Sequence, residues 1–332
     1  MLSVILVNWN GRKWLKDCLD SLAAQTFRDF EIVLVDNAST DGSAAYIRES
    51  YPHVRLIESA ENLGFGRGNN LGARAAKGDV LFLLNNDTSF GRELLGTLIE
   101  YRKKTGTHII GPRILDYDGN EIYQGRLVSI DPTGCIGWGH ATFYIEGSAL
   151  MIGRDEFFRL GAFDEAYFMY SEDIDLCWRA HLAGMRVGIC EEAAMKHFCG
   201  GSSDKSVVGI GGDAKTKKRH VVPVFRRYEV EKNNLRNILK NYRLVNLSWV
   251  VPLFLAQDFA ESMLYLFTGN WRMFGLIWKA IYWNAANLPS TLEARRGVSV
   301  MRRRGDWTAM RLMTPFPNKL RLLLAVGLPK FK

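Results

Sequence analysis

Acidic and amide side chains follow a short apolar segment near residue 80. Val80 to Leu84 are continuously apolar and lead directly into Asn85, Asn86 and Asp87. An apolar run of this length, with a glycine before it and a polar cluster after it, is typical of a buried strand. A carboxylate at the end of such a strand is a suitable ligand for a hard cation. The alternative is that residues 85–88 form only a turn and a helix cap, and the motif alone leaves both open.

A second group of acids lies among aromatic side chains farther along the chain. If Ser171 capped a helix starting at Glu172, acids in its first turn would suit the helix dipole, which is a purely structural explanation. The aromatic residues at 168–170 argue against this explanation, because they indicate that the acids are partly buried. Burying carboxylates that have no functional role costs free energy. A carboxylate in an apolar wall has a raised proton affinity, which suits a general base. The five acids of this segment are Asp164, Glu165, Glu172, Asp173 and Asp175.

His197 follows a predicted strand over Val187 to Cys190. It could meet Asp87 in space as an oxygen–nitrogen site for Mn²⁺ or Mg²⁺. A lone histidine is more often a packed or surface residue, so this pairing is a hypothesis. Cys199 is interpreted as incidental, because a zinc site would need more thiols.

Glycines are concentrated between Asn62 and Gly72, at the start of a predicted helix that runs to Ala76. The backbone amides there, together with Arg67, could receive a diphosphate. The segment is not a dinucleotide fingerprint, because it does not follow the first strand and lacks the required spacing. A flexible connection is the alternative explanation.

The sheet that must position these residues is predicted from apolar segments at the start of the chain. Strands are expected over Leu2 to Val7, Glu31 to Val35 and Val54 to Ile57, and Asn8 and Asp36 follow the first two. Two βα units within residues 1–50 predict a doubly wound α/β sheet. Ligands of such sheets lie at the carboxyl ends of the strands. Farther on, we expect a helix near 91–103, a strand around 108–110, irregular chain over 111–140 and a strand over 143–152.

Composition separates the chain into two parts. The 332 residues are 47% apolar and can bury a full core. Residues 1–200 hold 20 Lys and Arg against 27 Asp and Glu, whereas residues 201–332 hold 23 against 8. A basic tail predicts an anionic partner, either membrane lipid or nucleic acid, with a solvated basic surface as the alternative. An apolar strand pattern at the start argues against a signal peptide, and five cysteines without a Cys-x-x-Cys pair indicate reduced thiols in the cytosol.

The basic tail is dense in aromatic residues. A polar loop is expected over 201–222, a basic helix over Tyr228 to Tyr242, and aromatic-rich helices from 244 to 292. The longest uncharged run, Leu244 to Gln257, contains Pro252 and is shorter than the roughly 20 residues of a spanning helix. Helices in the membrane interface fit this pattern, and so does an ordinary helical subdomain. The arginines that would support a lipid contact are Arg295, Arg296 and Arg302 to Arg304.

The order of the motifs is more specific than any one of them. Together they resemble the family-2 glycosyltransferases, and within that family the rhamnosyltransferase-like branch. The resemblance covers roughly residues 1–200, and in the tail it is limited to Arg236-Asn237. The motifs are Val7-Asn-Trp-Asn10-Gly11, Asp36-Asn-Ala-Ser-Thr-Asp41, Asn62-Leu-Gly-Phe-Gly-Arg-Gly-Asn-Asn70, Leu84-Asn-Asn-Asp87, Phe163-Asp-Glu, Tyr170-Ser-Glu-Asp-Ile-Asp-Leu176 and His197.

The resemblance implies a GT-A fold, a doubly wound mixed sheet with a helical C-terminal extension. It implies a catalytic domain over 1–204, divided into a nucleotide-sugar half (1–110) and an acceptor and catalytic-base half (111–204), followed by a C-terminal region over 205–332.

The resemblance also assigns roles to residues. Asp36 would read the nucleobase, Asn8 would lie near the base and ribose, and Arg67 near the diphosphate. Asn86 and Asp87 would belong to the donor and metal motif, where Asn85 replaces the first carboxylate of the usual Asp-x-Asp. This departure puts more weight on His197 as a ligand of Mg²⁺ or Mn²⁺. Asp173 would be the catalytic base, with Glu172 beside it.

These assignments imply an inverting, metal-dependent hexosyltransferase of cell-surface polysaccharide synthesis. Its donor would be dTDP-L-rhamnose or, alternatively, a UDP-sugar, and its acceptor a saccharide or lipid-linked saccharide. It would act in the cytoplasm, as a peripheral protein at the inner face of the cell membrane, and without nucleic acid. A nucleotidyltransferase would need a Gly- and Arg-rich phosphate loop after the first strand, where the chain has Asn8-Trp9-Asn10-Gly11. A non-catalytic membrane-docked scaffold would be free to lose Asp87 and Asp173, and both are present.

Overall fold

The structure, a computed structural model, describes residues 1–120, 127–198, 221–315, 317–326 and 330–331. Cys199, most of the predicted polar loop and the basic run from Lys215 to Arg219 lie outside the described residues.

The first part of the chain alternates strands and helices, as the apolar periodicity predicts. Its elements are β1 (Leu2–Asn8), α1 (Arg12–Ala23), β2 (Phe30–Asp36), α2 (Ser43–Ser50), β3 (Arg55–Glu58), α3 (Gly64–Ala75), β4 (Val80–Asn85), β5 (Thr88–Phe90) and α4 (Leu94–Thr105).

The second part completes the sheet. Its elements are β6 (Ile109–Leu115), β7 (Leu127–Ile130), β8 (Ile136–Gly139), β9 (Ala149–Gly153), α5 (Arg154–Arg159), α6 (Glu172–Leu182) and β10 (Val187–His197). The expectation of irregular chain over 111–140 is therefore wrong in part, because β6 extends to Leu115 and β7 pairs with β8 as an antiparallel hairpin. The expected strand over 143–152 is also wrong in its first half, since β9 begins only at Ala149.

Eight strands form one mixed sheet in the order β3-β2-β1-β4-β9-β6-β10-β5. β1 is parallel to both β2 and β4, whereas β9 is antiparallel to β4 and β6. The chain leaves β1 on one side through β2 and β3, and returns on the other side as β4. This change of direction creates a topological switch point between β1 and β4, where ligands of open α/β sheets bind. The prediction of a doubly wound mixed sheet is confirmed.

Both faces of the sheet are buried, which explains the uninterrupted apolar runs. Alternate residues of the same strand point to opposite faces. In β4, Leu81 and Leu83 contribute to the core on one side, and Phe82 and Leu84 to the core on the other.

The glycine-rich segment is helical from Gly64 onward, so its interpretation as a flexible connection is wrong. Its glycines let α3 lie close to the sheet. A Cβ at Gly72 would come within 2.5 Å of Ile5 Cγ2, and one at Gly68 within 2.9 Å of Val7 Cγ1. Gly64 has a φ of +77° and its Cβ would collide with the carbonyl of Phe168, so it also sets the contact between α3 and the acid-rich segment.

The C-terminal part of the chain is helical apart from one short strand pair. Its elements are β11 (Val221–Val222), α7 (Val224–Asn241), α8 (Leu244–Phe267), α9 (Trp271–Ala286), α10 (Leu288–Met301), α11 (Trp307–Met310), α12 (Asn318–Val326) and β12 (Lys330–Phe331). α7 packs against α6, α8, α9 and α10. It thereby joins the sheet domain to the C-terminal helices, with polar side chains buried along most of its length.

α8 continues through Pro252 for 24 residues, longer than the uncharged run predicted. Among the described residues it is the one helix whose length and composition would allow it to cross a membrane, which is weak evidence for a span. Two of its acids, Asp258 and Glu261, make ion pairs with Lys319 of α12, and Glu261 also pairs with Arg227 of α7. These contacts tie α8 to the rest of the helical region.

Candidate active site

An amide network joins the carboxyl ends of three neighbouring strands. Nδ2 of the buried Asn8, at the end of β1, donates to Asp36 Oδ1 at the end of β2 (2.9 Å) and to Ser39 Oγ (3.0 Å). Asn8 Oδ1 accepts from Asn86 Nδ2 just after β4 (2.6 Å). The network therefore lies at the topological switch point, and it brings together the three residues that sequence assigns to donor binding there.

Close packing holds this network in place. A Cβ at Gly11 would come within 2.5 Å of Asn8 Oδ1 and would collide with the Asn86 amide. Residue 11 must therefore be small for Asn8 and Asn86 to meet. This explains why the turn after the first strand carries glycine.

His197 and Asp87 lie together on neighbouring strand segments. β5 pairs antiparallel with the end of β10, with His197 opposite Thr88. His197 Nε2 is 3.2 Å from Asp87 Oδ1 and 3.3 Å from Asn85 Nδ2. Oxygen and nitrogen ligands that share one edge of an octahedral metal shell, with bonds of ~2.1 Å, lie ~3 Å apart. The pair consequently fits two ligands of one divalent cation, and the predicted strand at Val187–Cys190 extends to His197 itself.

A second group of carboxylates could suggest a metal site in the C-terminal region. One oxygen each from Glu231, Asp258 and Glu261 lies within 4.8 Å of the others. Lys319 Nζ already lies among them, at 3.0, 2.5 and 2.7 Å respectively, and Arg227 pairs with Glu231 and Glu261. The positive charge that a metal would supply is thus present in the protein. This group is a structural ion-pair network that joins α7, α8 and α12.

Asp173 lies on the first turn of α6 and is partly exposed. The backbone amides of Gly147 and Ile174 donate to its two carboxylate oxygens, at 2.9 and 2.8 Å. Burial raises the pKa of Asp173, and the two amide bonds act in the opposite direction. A fixed carboxylate with an increased proton affinity can serve as a general base.

Glu172 is more deeply buried, with 5% of its surface exposed. Burial, followed by the charge of Asp173, holds the pKa of Glu172 well above its usual range. Glu172 therefore has a greater proton affinity than an ordinary glutamate, and the more exposed Asp173 is better placed to accept a proton from a bound molecule.

The structure separates the five acids of this segment by their partners. Asp164 pairs with Arg236 and Lys240 of α7, at 3.0 and 2.7 Å, which holds its pKa well below the usual range. Asp175 pairs with Arg179 and with Lys240 (2.8 Å). Glu165 pairs with Arg74 on the surface. These three acids are structural, which leaves Asp173 and Glu172 for chemistry.

The helix α6 begins at Glu172, as the structural alternative required, but the side chain of Ser171 does not cap it. Tyr170 and Ser171 have φ values of 71° and 64°, a left-handed conformation that is uncommon for residues other than glycine. Ser171 Oγ points away from the helix start and hydrogen-bonds to Asn234 Oδ1 of α7 at 3.0 Å. Strained backbone of this kind is concentrated at functional sites.

Glu146 was not singled out by the sequence. Burial raises its pKa to about 7, and it lies close enough to His197 and Asp173 for both charges to affect that pKa. Glu146 is therefore a further buried carboxyl group in the neighbourhood of His197 and Asp173. The sequence feature that could have identified this position is Gly147 within the predicted strand, because a glycine inside a strand often marks the close approach of another group. A Cβ there would lie 2.9 Å from Phe65 Cζ.

Arg67 lies on α3, where its side chain is 45% exposed and Nη2 is 3.8 Å from Glu61 Oε1. It is accessible to a ligand, and among the described residues it makes neither a hydrogen bond nor an ion pair with the Asn8 network or with the Asp87–His197 pair.

Residues 3–156 match the sequence model of the family described as glycosyl transferase family 2. The match covers a little under half of the chain. The family 2 match ends before the segment that contains Asp173 and His197, so it does not cover the whole candidate site.

Curated relatives extend the similarity toward the C-terminus. The chain is 27% identical over 205 residues to a low-salt glycan biosynthesis hexosyltransferase of Haloferax volcanii, covering 57% of this chain and 64% of that relative. It is 29% identical over 222 residues to an N-acetylglucosaminyl-diphospho-decaprenol L-rhamnosyltransferase of Mycobacterium tuberculosis, covering 55% of this chain and 71% of that relative. The chain thus spans somewhat less than two thirds of the first of these relatives.

Solved structures support the fold. A mannosyltransferase from Pyrobaculum calidifontis in complex with GDP-Man and Mn²⁺ is 17% identical, with a TM-score of 0.53 over 98% of this chain and 85% of that one. TarS 1–349 of S. aureus in complex with UDP is also 17% identical, with a TM-score of 0.53 over 78% of this chain and 72% of that one. These similarities confirm the prediction of a GT-A fold.

Proposed function

We propose that the protein is an inverting, metal-dependent glycosyltransferase that moves a sugar from a nucleoside diphosphate to a saccharide or lipid-linked saccharide. The observation that carries this proposal is the hydrogen bond from the Gly147 amide to Asp173 (2.9 Å), because the carbonyl of the neighbouring Ser148 accepts from the Asn85 amide at the end of β4 (2.9 Å). The candidate proton acceptor is thereby linked, through the backbone of residues 147–148, to the strand end that precedes the metal-ligand candidate Asp87. Domain boundaries at 1–204 and 205–332, with a division near 110, are part of the proposal.

The donor side of the site would be formed by the ends of β1, β2 and β4. Asp36 would bind the nucleobase, Asn8 and Asn86 would lie beside the base and ribose, and Arg67 would approach the diphosphate. Asp87 and His197 would hold a divalent cation, Mg²⁺ or Mn²⁺, which neutralises negative charge on the leaving diphosphate when bound. Arg67 would add positive charge to the same group.

The acceptor side would be organised by Asp173. Its carboxylate accepts the proton of an acceptor hydroxyl as that oxygen attacks the anomeric carbon, while the bond from that carbon to the diphosphate breaks. Gly147 and Ile174 orient the carboxylate through their amides. A single displacement of this kind inverts the anomeric centre.

A deoxysugar donor, dTDP-L-rhamnose, is proposed from the similarity to the mycobacterial L-rhamnosyltransferase. A UDP-sugar is the alternative donor. The same relative acts on a lipid-linked sugar according to its name, which favours a lipid-linked acceptor here and a position at the cytoplasmic face of the membrane.

Thermal-shift measurements with nucleotides test the donor and the metal. A ligand that binds only the folded protein at about 100 times its Kd adds about 2.7 kcal/mol to stability. For a chain of this size, that corresponds to a rise in Tm of about 4 °C. We expect dTDP or UDP compounds to give this shift with Mn²⁺ and a smaller one without it.

The panel should also include GDP compounds, so that the base preference is measured directly. A thymidine or uridine preference that is shared by diphosphate and nucleotide sugar would support recognition of the base. No shift with any nucleotide in the presence of Mn²⁺ would contradict the transferase proposal and favour a non-catalytic scaffold.

The C-terminal helices carry the apolar surface proposed to contact lipid. Large side chains are exposed on neighbouring helices, and charged residues accompany them. Of the predicted arginines, Arg295 bonds to the carbonyl of Leu239 and Arg302 pairs with Asp306, so these two have structural partners. Arg296, Arg303 and Arg304 are exposed. The exposed apolar side chains are Trp249, Phe259, Phe267, Trp271, Trp278, Tyr282 and Trp307.

Vesicle binding tests this contact. Each arginine near an anionic surface contributes about 1 kcal/mol, so replacing Arg296, Arg303 and Arg304 by Gln should weaken binding to phosphatidylserine vesicles roughly a hundredfold. High salt should likewise weaken the binding of the wild-type protein to these vesicles. Arg92→Gln is the control for loss of one exposed arginine outside the C-terminal helices. Binding that is unaffected by salt and by the triple substitution would contradict an electrostatic contact.

A further inference from the structure

The acid-bearing helix α6 begins after an unfavourable backbone turn. Tyr170 and Ser171 adopt positive φ values in succession, and Glu172 and Asp173 follow directly. For residues with a Cβ, this conformation is disfavoured and persists only where the surroundings hold it. The direction in which Asp173 leaves the chain therefore depends on what stabilises residues 169–171.

Three asparagines of α7 contact this turn. Asn233 Nδ2 donates to the carbonyl oxygens of Met169 (3.0 Å) and Tyr170 (2.7 Å). Asn237 Nδ2 donates to the carbonyl of Ser171 at 3.2 Å, and Asn234 Oδ1 accepts from Ser171 Oγ at 3.0 Å. All three consecutive residues of the turn are thus bonded to one helix.

α7 is itself firmly fixed on the sheet domain. Lys240 bridges Asp164 and Asp175, which lie on either side of the turn, and Arg236 also binds Asp164. The hydroxyl of the buried Tyr167 donates to Asn237 Oδ1 at 2.7 Å. Because these contacts connect α7 to segments before and after residues 169–171, the helix can act as a rigid support for the turn.

We propose that Asn233, Asn234 and Asn237 are positioning residues that hold the 169–171 turn and thereby aim Asp173 at the acceptor hydroxyl. This inference rests on the proposed function, and it assigns to the C-terminal region a part in completing the site. The three residues do not touch the reacting atoms. They act through the backbone of the turn, so their loss should change the chemical step more than the binding of the donor.

Asn233→Ala is the principal test. A displacement of a catalytic group by about 1 Å can cost about a hundredfold in rate, so we expect kcat to fall about 10- to 100-fold. The donor KM and the Kd of the nucleoside diphosphate should stay within about twofold of wild type. Asn284→Ala is the matched control, because Asn284 is equally a buried asparagine whose Nδ2 donates to two carbonyls, those of Lys232 and Ala280, outside the turn.

Ser171→Ala and Asn234→Ala provide a second test that involves smaller changes. Each removes one side of the hydrogen bond between Ser171 Oγ and Asn234 Oδ1. In a double-mutant cycle, the combined loss in kcat should be clearly smaller than the product of the two single losses, because both act on one contact. This cycle remains informative if Asn233→Ala does not fold.

Amide hydrogen exchange separates the inference from the proposed function. Asn233→Ala should increase exchange in peptides covering 169–175, relative to Asn284→Ala, whether or not a donor has been identified. Increased exchange with an inactive wild type would uphold the support of the turn and contradict the transferase proposal. The inference would be overturned if the wild type were active and Asn233→Ala changed neither kcat nor the exchange of residues 169–175. In that case the kcat losses of Ser171→Ala and Asn234→Ala would also simply multiply in the double mutant.

Discussion

Replacing Asp173 by Asn should abolish sugar transfer and leave nucleotide binding nearly unchanged. The amide has the size of the carboxylate but cannot accept the proton of the acceptor hydroxyl. A positioned general base contributes about 10²- to 10⁴-fold to the rate, so turnover should fall by at least that amount. The measurement is kcat with a transferable donor, together with the Kd of the nucleoside diphosphate.

Glu165→Gln is the control for Asp173→Asn. It makes the same chemical change in the same acid-rich segment, at a side chain that is 46% exposed and pairs with Arg74. We expect it to retain activity. Because burial raises the pKa of Asp173, wild-type activity should decline on acidification at a higher pH than an ordinary aspartate would allow. Retained turnover in Asp173→Asn would remove this residue from the role of base.

Replacing Asp87 by Asn should eliminate the metal-dependent part of nucleotide binding. His197 Nε2 lies 3.2 Å from Asp87 Oδ1, and loss of the carboxylate leaves the motif with amides only. Charge stabilisation by a metal is worth several kcal/mol, which corresponds to about a thousandfold in kcat/KM. The measurements are kcat/KM and the additional rise in Tm that Mn²⁺ causes in the presence of dTDP or UDP.

Glu261→Gln distinguishes the Asp87–His197 pair from the carboxylate cluster of Glu231, Asp258 and Glu261 as the site of the cation. It disrupts the ion-pair network with Arg227 and Lys319 and should lower the Tm of the free protein. The increment in Tm caused by Mn²⁺ and nucleotide should nevertheless remain. If that increment disappeared in Glu261→Gln and persisted in Asp87→Asn, the cation would bind in the C-terminal network rather than beside His197.

The sheet and its carboxyl edge could be predicted because their determinants are local. Uninterrupted apolar runs identify β1, β2 and β4, and the polar residues that follow each run must emerge at the same edge when the strands are parallel. Asn8, Asp36 and Asn86 consequently meet in the structure as their positions indicated. The secondary-structure predictions were wrong where the chain changes direction without a strong periodic pattern. At Glu146-Gly147, for example, the first half of the predicted strand over 143–152 is not a strand.

The ion pairs and hydrogen bonds of the acid-rich segment depend on contacts between distant parts of the chain. Which acids of 164–175 are neutralised is decided by Lys240 and Arg236, more than 60 residues away. Ser171 bonds to Asn234 instead of capping α6, because α7 packs directly against the start of that helix. Residue type and spacing indicate the i,i+4 pair of Asp175 with Arg179, but they contain no information about Lys240, Arg236 or Asn234.

The sequence by itself thus determined the doubly wound sheet, the strand ends at which polar side chains collect, and the family whose motifs they form. Only the tertiary structure decided that His197 lies beside Asp87 and that Asp173 keeps an accessible carboxylate while Asp164, Glu165 and Asp175 are paired. It also decided that α7 contacts the turn that precedes Asp173. The physical reason is that periodicity reports which face of an element is buried. Charge pairing, by contrast, depends on which side chains the folded chain brings within a few ångströms.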